Sequence, residues 1–412
     1  MKKSYTFLSL FLGAILGVSC CQEPKTAEPS MEQVVQTSLD YCVDQAKLLA
    51  QTLAPHSDTV PVGADWNGKL ISGNSTWWTS GFYPGELWYL YEYSGDDSLK
   101  SMAELFTKRV EKEQYTTNNH DVGFIIFCSV GNQYRLTGSQ DERLKEIIVT
   151  AAESLCTRYR PNAHIIQSWD VWDALRAKGW ECPVIIDNMM NLELLEQASK
   201  LSGNPKYADI ARTHANTTLA NHFRPDGSCY HVVNYDPQTG KALHHDTWQG
   251  YSAESAWARG QAWALYGYTM MFRETGDSTY LKQAAKVAEY IVNHPNLPED
   301  KIPYWDFNAP NIPDAYRDVS AGTVICSALI ELSQYVPEAQ SKAYLQVAEK
   351  QLRSLTSPFY RIAPGHYSGL LLKHSVGSLP HASEVDVPII YADYYYVEAL
   401  MRYKKLMDEG KI

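Results

Sequence analysis

Four stretches of this chain repeat one local design, and the repetition limits the folds open to it. In "YEYSGDDSLKSMAEL", "YRLTGSQDERLKEII", "SKLSGNPKYADIART" and "FRETGDSTYLKQAAK" a helix ends in Ser or Thr plus Gly, and a few polar residues follow. A second amphipathic helix then begins. Gly95, Gly138, Gly203 and Gly276 suit the left-handed position just past a helix end, and the Asp, Asn and Ser after them can cap the next helix. "QYVPEAQSKAYLQVAEK" is a fifth version, with Pro337 in place of the glycine. Between the turns apolar residues recur at helical spacing, as in "LKEIIVTAAESLCTRY" and "YLKQAAKVAEYIVNH". The pattern predicts about twelve helices from Met31 to Met407 and a strand only in "CYHVVNY".

Hairpins repeated at this length stack on one another, either in an open array or in a closed ring. Six of them predict an all-α chain, an (α/α)6 barrel of six helical hairpins forming one domain over residues 31–412. An open helical solenoid is the alternative. In a ring, the short glycine turns join inner helices to outer ones. The long loops 55–79, 113–120, 160–186, 223–253, 295–316 and 358–388 then gather at the opposite end, where they build a pocket.

A formal charge of -11 excludes a nucleic-acid binder, which needs a basic surface. It also argues against a long groove for polyanions, although one acidic sugar could be held by a local arginine. The 11 Trp, 28 Tyr and 10 Phe fill cores well, and their flat faces also suit sugar rings. At the start, "MKKSYTFLSLFLGAILGVSC" has the two lysines, apolar run and small residues of an export signal. Its ending predicts a lipoprotein signal over residues 1–20, with Cys20 lipidated and residues 21–30 as a tether. The expected location is periplasmic or anchored in a membrane. The other six cysteines show no metal-ligand spacing and read as small core residues.

The candidate site segments lie where long loops enter inner helices. "TTNNHDVGFIIF" offers His120 and Asp121, and "IIDNMMNLELL" offers Asp187. "SWDVWDALRAKGWECP" offers Trp169, Trp172 and Trp180 with Asp170 and Asp173, and "YHVVNYDPQTG" offers His231. "DTWQGYSAESAWARGQAWALYGY" offers Gln249, Trp257, Arg259 and Trp263. Glycoside cleavage by carboxylates needs two, one to deliver a proton and one to activate or stabilise. Asp121 and Asp187 hold equivalent positions, and Asp187 is expected to cap its helix as well. A helix N-terminus favours ionisation, so the proton-bearing partner needs a like charge or a dry aromatic wall. Arg259 and Trp263 share one helix face and suit a uronate carboxylate, or else Arg259 forms a buried ion pair. Arg317 and Asp318 read as a structural pair.

At these residues the chain resembles glycoside hydrolase family 88, the unsaturated glucuronyl hydrolases. The likeness runs through "WWTSGFYPGELW", "HDVGF", "DNMMNL", "QGYSAESAWARGQAW" and "YWDF" to "YADYYYVEAL". It implies an α/α barrel of six hairpins, with Asp121 and Asp187 as the catalytic aspartates. It implies pocket roles for Trp78, Phe82, His120, Trp172, His231, Gln249, Trp257, Arg259 and Trp263, with no metal and no cofactor. Such enzymes take oligosaccharides already cut by polysaccharide lyases and hydrate the C4=C5 bond of the terminal uronic acid. Asp187 would then protonate C4 and assist water at C5, while Asp121 positions or stabilises.

One departure concerns the loop before the last helix, where sulfate-accepting members carry a Ser/Lys cluster. Here it reads "LLKHSVGSLPHASEVDVPIIY", with Lys373, His374, Ser375 and Ser378 in another arrangement, so sulfate recognition does not carry over. The rival readings are an unsaturated rhamnogalacturonyl hydrolase acting on pectin fragments and a non-catalytic glycan-capturing lipoprotein.

Overall fold

The computed structural model describes Met1 and residues 28–138 and 141–412. Apart from Met1, the signal expected over residues 1–20, with Cys20, and most of the expected tether lie outside the described residues. Twelve helices make the ring: α1 (Met31–Leu53), α2 (Phe82–Ser94), α3 (Asp97–Val110), α4 (122–137), α5 (Glu142–Cys156) and α6 (Leu192–Ser202). They continue with α7 (Lys206–Asn221), α8 (Ala258–Thr275), α9 (Ser278–Val292), α10 (Val319–Leu332), α11 (Glu338–Leu355) and α12 (Ile390–Asp408).

Even-numbered helices form the inner ring and odd-numbered ones the outer. The sequence explains the division. All of α10, "VSAGTVICSALIEL", is buried, as is α8 from Ala258 to Met271. A helix apolar all round needs neighbours all round. The outer helices bury one stripe only, as α9 does through Tyr280, Ala284, Val287, Ala288 and Ile291. Inner α12 packs against both α10 and α2, which closes the ring, and α1 covers α12 from outside. The closed barrel is therefore the architecture, and the open solenoid is not.

The inner-to-outer turns are the predicted ones. Gly95, Gly203 and Gly276 take left-handed conformations at φ 67°, 73° and 71° and donate back into the preceding helix. Gly138 differs, with φ 86° and ψ 161°, an extended form of positive φ. Helix α4 contains one π turn, Phe127–Gly131, between its α-helical halves.

The expectation of a single strand was wrong. Among the described residues the loops hold nine short strands: β1 (Val60–Ala64), β2 (Leu70–Gly73), β3 (Tyr159–Arg160), β4 (Ile165–Ile166) and β5 (Cys182–Ile185). The others are β6 (Val232–Tyr235), β7 (Ala242–Asp246), β8 (Ser375–Ser378) and β9 (Ser383–Val387). β5, β6 and β7 pair antiparallel in one sheet, and the rest form three two-stranded ribbons. At two to five residues they are too short for alternation to show. β5, β6 and β8 are buried on both faces, which erases it altogether. The six cysteines 42, 128, 156, 182, 229 and 326 are free, and all but Cys128 are buried.

Inner α4 and the turn before α6 approach within glycine distance. A Cβ on Gly123 would lie 2.5–2.8 Å from atoms of Asn191, whose Oδ1 accepts the Phe124 N–H at 2.8 Å. Gly123→Ala should therefore cost about 1–3 kcal/mol by overpacking, read as a lower urea midpoint at unchanged m-value.

Candidate active site

Asp121 stands where two loops are pinned together. Asn119 bridges to Trp169, the His120 N–H donates to the Ser168 carbonyl at 3.0 Å, and the Asp121 N–H donates to Asn119 Oδ1 at 2.8 Å. Asp121 is itself helical (φ −73°, ψ −1°), so its side chain makes no capping bond. The carboxyl is left uncommitted.

Asp187 arrives along a strand. β5 pairs with β6 in the register Ile185 to Val232, and the Ile186 N–H donates to the His231 carbonyl at 3.0 Å. That ladder sets Asp187 beside His231, with Nε2 3.7 Å from Oδ2. The expected cap is not formed. Asp187 lies inside the 3₁₀ turn Ile186–Asn191, while the capping position falls on extended Ile185, which has no side-chain acceptor. Asp187 Oδ2 has no hydrogen-bond partner.

Both histidines are neutral. The Trp248 and Gln249 N–H groups donate to His231 Nδ1 at 3.1 and 3.3 Å. A nitrogen that accepts carries no proton, so the ring hydrogen sits on Nε2 and faces Asp187. Burial, then the positive Arg259, keep His231 well below its ordinary pKa. His120, with Nε2 3.4 Å from Asp121 Oδ1, is held down to about 3 by burial.

The carboxyls move the other way. Loss of water and then the charge of Asp187 push Asp121 up to about 8, against the pull of Arg158. Burial pushes Asp187 up to about 7, opposed first by Arg259 and then by its own backbone N–H and the Trp263 indole. Their side chains are still 14% and 12% exposed, so both remain open to the mouth. The like charge and the dry surroundings that the sequence called for are both present.

The other expected residues fall into four groups. Trp257 lies against His231 at 4.4 Å between ring centres, tilted by 42°, with the Arg259 guanidinium 4.5 Å from its own. Trp78, Phe82 and Trp263 are linked through Phe124, 5.6, 5.4 and 5.4 Å away respectively. Trp172 sits further out, 43% exposed, against Trp169 and Trp248. Gln249 Nε2 donates to the Gly377 carbonyl at 3.1 Å.

Arg259 takes the buried-pair arrangement. Its Nη1 lies 3.1 Å from Asp318 Oδ2 and also donates to the Val376 carbonyl, while Nη2 donates to the Gly377 carbonyl. Only Nε is unspent. The Arg317–Asp318 pair expected from sequence does not exist. Asp318 caps α10 and turns inward to Arg259, whereas Arg317 pairs with Asp300 at 2.8 Å. Among the described residues, no group of three or more His, Cys, Asp or Glu could hold a metal ion. A cavity of about 810 Å³ lies at the turn end of the ring, near Glu193, Arg273 and Arg402. Its arginines are paired within the lining, Arg273 with Glu193 and Glu274 and Arg402 with Glu398 at 3.5 Å.

The family model "Glycosyl Hydrolase Family 88" matches residues 43–404. The chain belongs to that family. It is 44% identical over 330 residues to an unsaturated glucuronyl hydrolase of Formosa agariphila, covering 80% of each chain. It is 33% identical over 382 residues to an unsaturated chondroitin disaccharide hydrolase of Streptococcus pneumoniae, covering 91% of this chain and 93% of the relative. A solved unsaturated glucuronyl hydrolase specific for heparin superposes with a TM-score of 0.87 at 43% identity, over 92% of this chain and 98% of the other. This family 88 chain is thus a glycoside hydrolase with an α/α barrel.

Sequence reasoning missed several neighbours of the site. Trp248 meets Trp172 and Trp180, each at 5.8 Å, and His381 at 4.4 Å; its place beside Gln249 was the available signal. Tyr391 lies 4.9 Å from Trp78 with its hydroxyl unpartnered. Arg158, whose charge reaches Asp121, gave no local signal at all.

A carboxyl whose pKa is raised on folding destabilises the native state once pH exceeds its unfolded value near 4. The cost grows until the folded pKa is passed. Asp121→Asn in this family 88 chain should therefore raise the melting temperature by several degrees at pH 8 and leave it unchanged at pH 4, by calorimetry.

Proposed function

We infer that this chain removes the C4=C5-unsaturated uronic acid from the non-reducing end of oligosaccharides left by a polysaccharide lyase. The supporting observation is the Asp121–Asp187 pair, two reachable carboxyls that keep a proton to near neutrality. An enol ether is hydrolysed by protonation at carbon, which needs an acid still protonated at working pH. Asp187 delivers its proton to C4, and positive charge develops across C5 and the ring oxygen, while Asp121, which keeps its own proton to about 8, positions the ring. Water adds at C5 and returns a proton to Asp187. The C5–O5 bond breaks, and the hemiacetal left at C1 collapses to release the companion sugar.

Unspent donors suit the uronate carboxylate. Arg259 Nε and the Tyr391 hydroxyl are buried without partners. A bound anion there offsets the Arg259 charge that pulls the Asp187 pKa down, so binding substrate strengthens the hold on the proton. The family 88 relatives named for glucuronyl and chondroitin disaccharide hydrolysis favour glycosaminoglycan products as the substrate class. The N-terminal sequence supports export with Cys20 lipidated, which would place the enzyme beside the lyases that supply it.

Ultraviolet absorbance of the conjugated C=C–COO⁻ group should fall when the enzyme meets lyase-made disaccharides from chondroitin, hyaluronan or heparin. A flat trace from folded protein on the whole panel, pectin products included, rejects the reading. Asp187→Asn should lower kcat by about 10²–10⁴, the usual worth of general acid–base catalysis, without unfolding. Wild-type rates should also decline as pH rises through about 7 to 8, where the pair loses its proton.

A further inference from the structure

At the turn end of the ring, carboxylates outnumber the arginines that serve them. Glu193 of α6, Glu331 of α10 and Glu398 of α12 share two guanidinium groups, Arg273 and Arg402. Glu274 has Lys200 besides Arg273, at 2.5 Å. The other cations of the rim are committed elsewhere: Arg135 to Glu92 at 2.8 Å, Lys404 to Asp408 at 2.8 Å and Lys405 to Glu409 at 3.9 Å. Glu331 holds both arginines, at 2.8 and 2.9 Å. Glu398 accepts from the hydroxyls of Tyr89, Tyr266 and Ser327. Glu193 is left short. One oxygen meets Arg273, and the other makes no hydrogen bond among the described residues. Burial pushes this carboxyl up to about 7, against the pull of Arg273 and with the help of Glu274.

Glu193 borders the cavity of about 810 Å³, whose lining comes from five of the six inner helices. That volume lies in the range of about 300–1,000 Å³ usual for small-molecule sites. Much of the wall is apolar, with Phe127, Met190, Leu201 and Met401 in it. The π turn of α4 borders the cavity through Phe127, Cys128 and Gly131, and such turns are frequent at functional sites. Tyr395 supplies a second unsatisfied group. It is 2% exposed, lines the cavity and makes no side-chain hydrogen bond among the described residues. Its hydroxyl lies in the field of Cys128, Tyr266, Glu398 and Glu193, which line the same cavity. A buried hydroxyl ordinarily has a partner, and here only the cavity can supply one. Phe124 and Trp263, 5.4 Å apart and with Trp263 5.6 Å from Tyr395, divide this space from the catalytic pocket.

A surplus carboxylate, a free hydroxyl oxygen and an apolar wall together suit a cation that carries N–H donors on a hydrocarbon body. An anion would meet Glu193 and Glu398 with the arginines already engaged, and a neutral molecule would leave the surplus charge unmatched. We propose that the turn-end cavity is a binding site for an organic primary ammonium ion. Its head group donates to the free oxygen of Glu193 and to the Tyr395 hydroxyl, and its body lies along Phe127, Met190 and Met401. This site is separate from the hydrolase reading and does not depend on it.

The probe is n-hexylammonium, titrated into the full chain by isothermal calorimetry at about pH 8, above the point where Glu193 ionises. Hexanol and hexanoate serve as its neutral and anionic counterparts. Hexylammonium should bind in a single set of sites, and the other two at least about tenfold more weakly. Glu193→Gln should weaken the amine about ten- to hundredfold, the worth of a hydrogen bond to a charged group. Tyr395→Phe, which keeps the ring, should weaken it about three- to tenfold at an unchanged Tm. Asp187→Asn tests whether the amine has gone to the catalytic carboxyls instead, and should leave its affinity within about twofold. No binding at millimolar amine, equal binding of hexanol, or an affinity that survives both cavity variants overturns the site. So does an affinity that Asp187→Asn alone removes. Should Glu193→Gln fail to fold, Tyr395→Phe decides. The titrations involve no turnover, so a chain that hydrolyses nothing yet binds the amine as described rejects the reaction and keeps the site.

Discussion

The mouth of this barrel hangs on one buried contact, the Arg259 guanidinium against Asp318. Asp318 caps α10, accepts the Val376 N–H at 3.2 Å and faces Arg259 from the neighbouring inner helix. Arg259 in turn holds the carbonyls of Val376 and Gly377. Two inner helices and the β8–β9 hairpin are thereby tied at a point that solvent does not reach. A buried pair of this sort adds little net stability relative to apolar residues, but losing one member strands a charge at a cost of about 3–5 kcal/mol. The geometry is therefore enforced rather than merely favoured, and Gln249, which shares the Gly377 carbonyl, is positioned by it.

Against that frame, the proton on the aspartate pair follows from a comparison of magnitudes. Both carboxyls sit near the starts of inner helices, where the macrodipole favours ionisation by about 0.3–1 kcal/mol, less than one pKa unit. Burial beside a second carboxyl acts in the opposite sense and is larger, carrying Asp121 from 3.8 to about 8. The neutral histidines add no compensating positive charge, because burial strips their protons first. An acid usable at neutral pH is thus a property of the enclosure as a whole. Neither aspartate's own sequence neighbours supply it.

The ring was legible because its grammar is local. Glycine stops at Gly95, Gly203 and Gly276, caps such as Asp96 and Asp277, and the mostly apolar α10 are each readable within one or two helical turns. The inner-helix origin of Asp121 and Asp187 was readable for the same reason. What escaped depends on partners far along the chain. Arg259 and Asp318 are separated by 59 residues, so the choice of Asp318's neighbour could not be settled from "YRDVS" alone. The Ile185–Val232 ladder that places Asp187 beside His231 uses four-residue strands with no exposed face to mark them. Helix capping by Asp187 failed on a difference of two residues, since the extended position is Ile185.

The π turn Phe127–Gly131 in α4 uncouples the two ends of one helix. Each α-helical residue advances about 100° around the axis, so one extra residue in a turn rotates everything before it relative to everything after it. Asp121 stands ahead of that offset, and the segment Asn132–Thr137, with its contacts to α2, lies beyond it. The orientation of the carboxyl is consequently a separate variable from the packing of the helix that carries it. Residues past Gly131 can change to suit their neighbours in the ring without turning Asp121 away from Asp187.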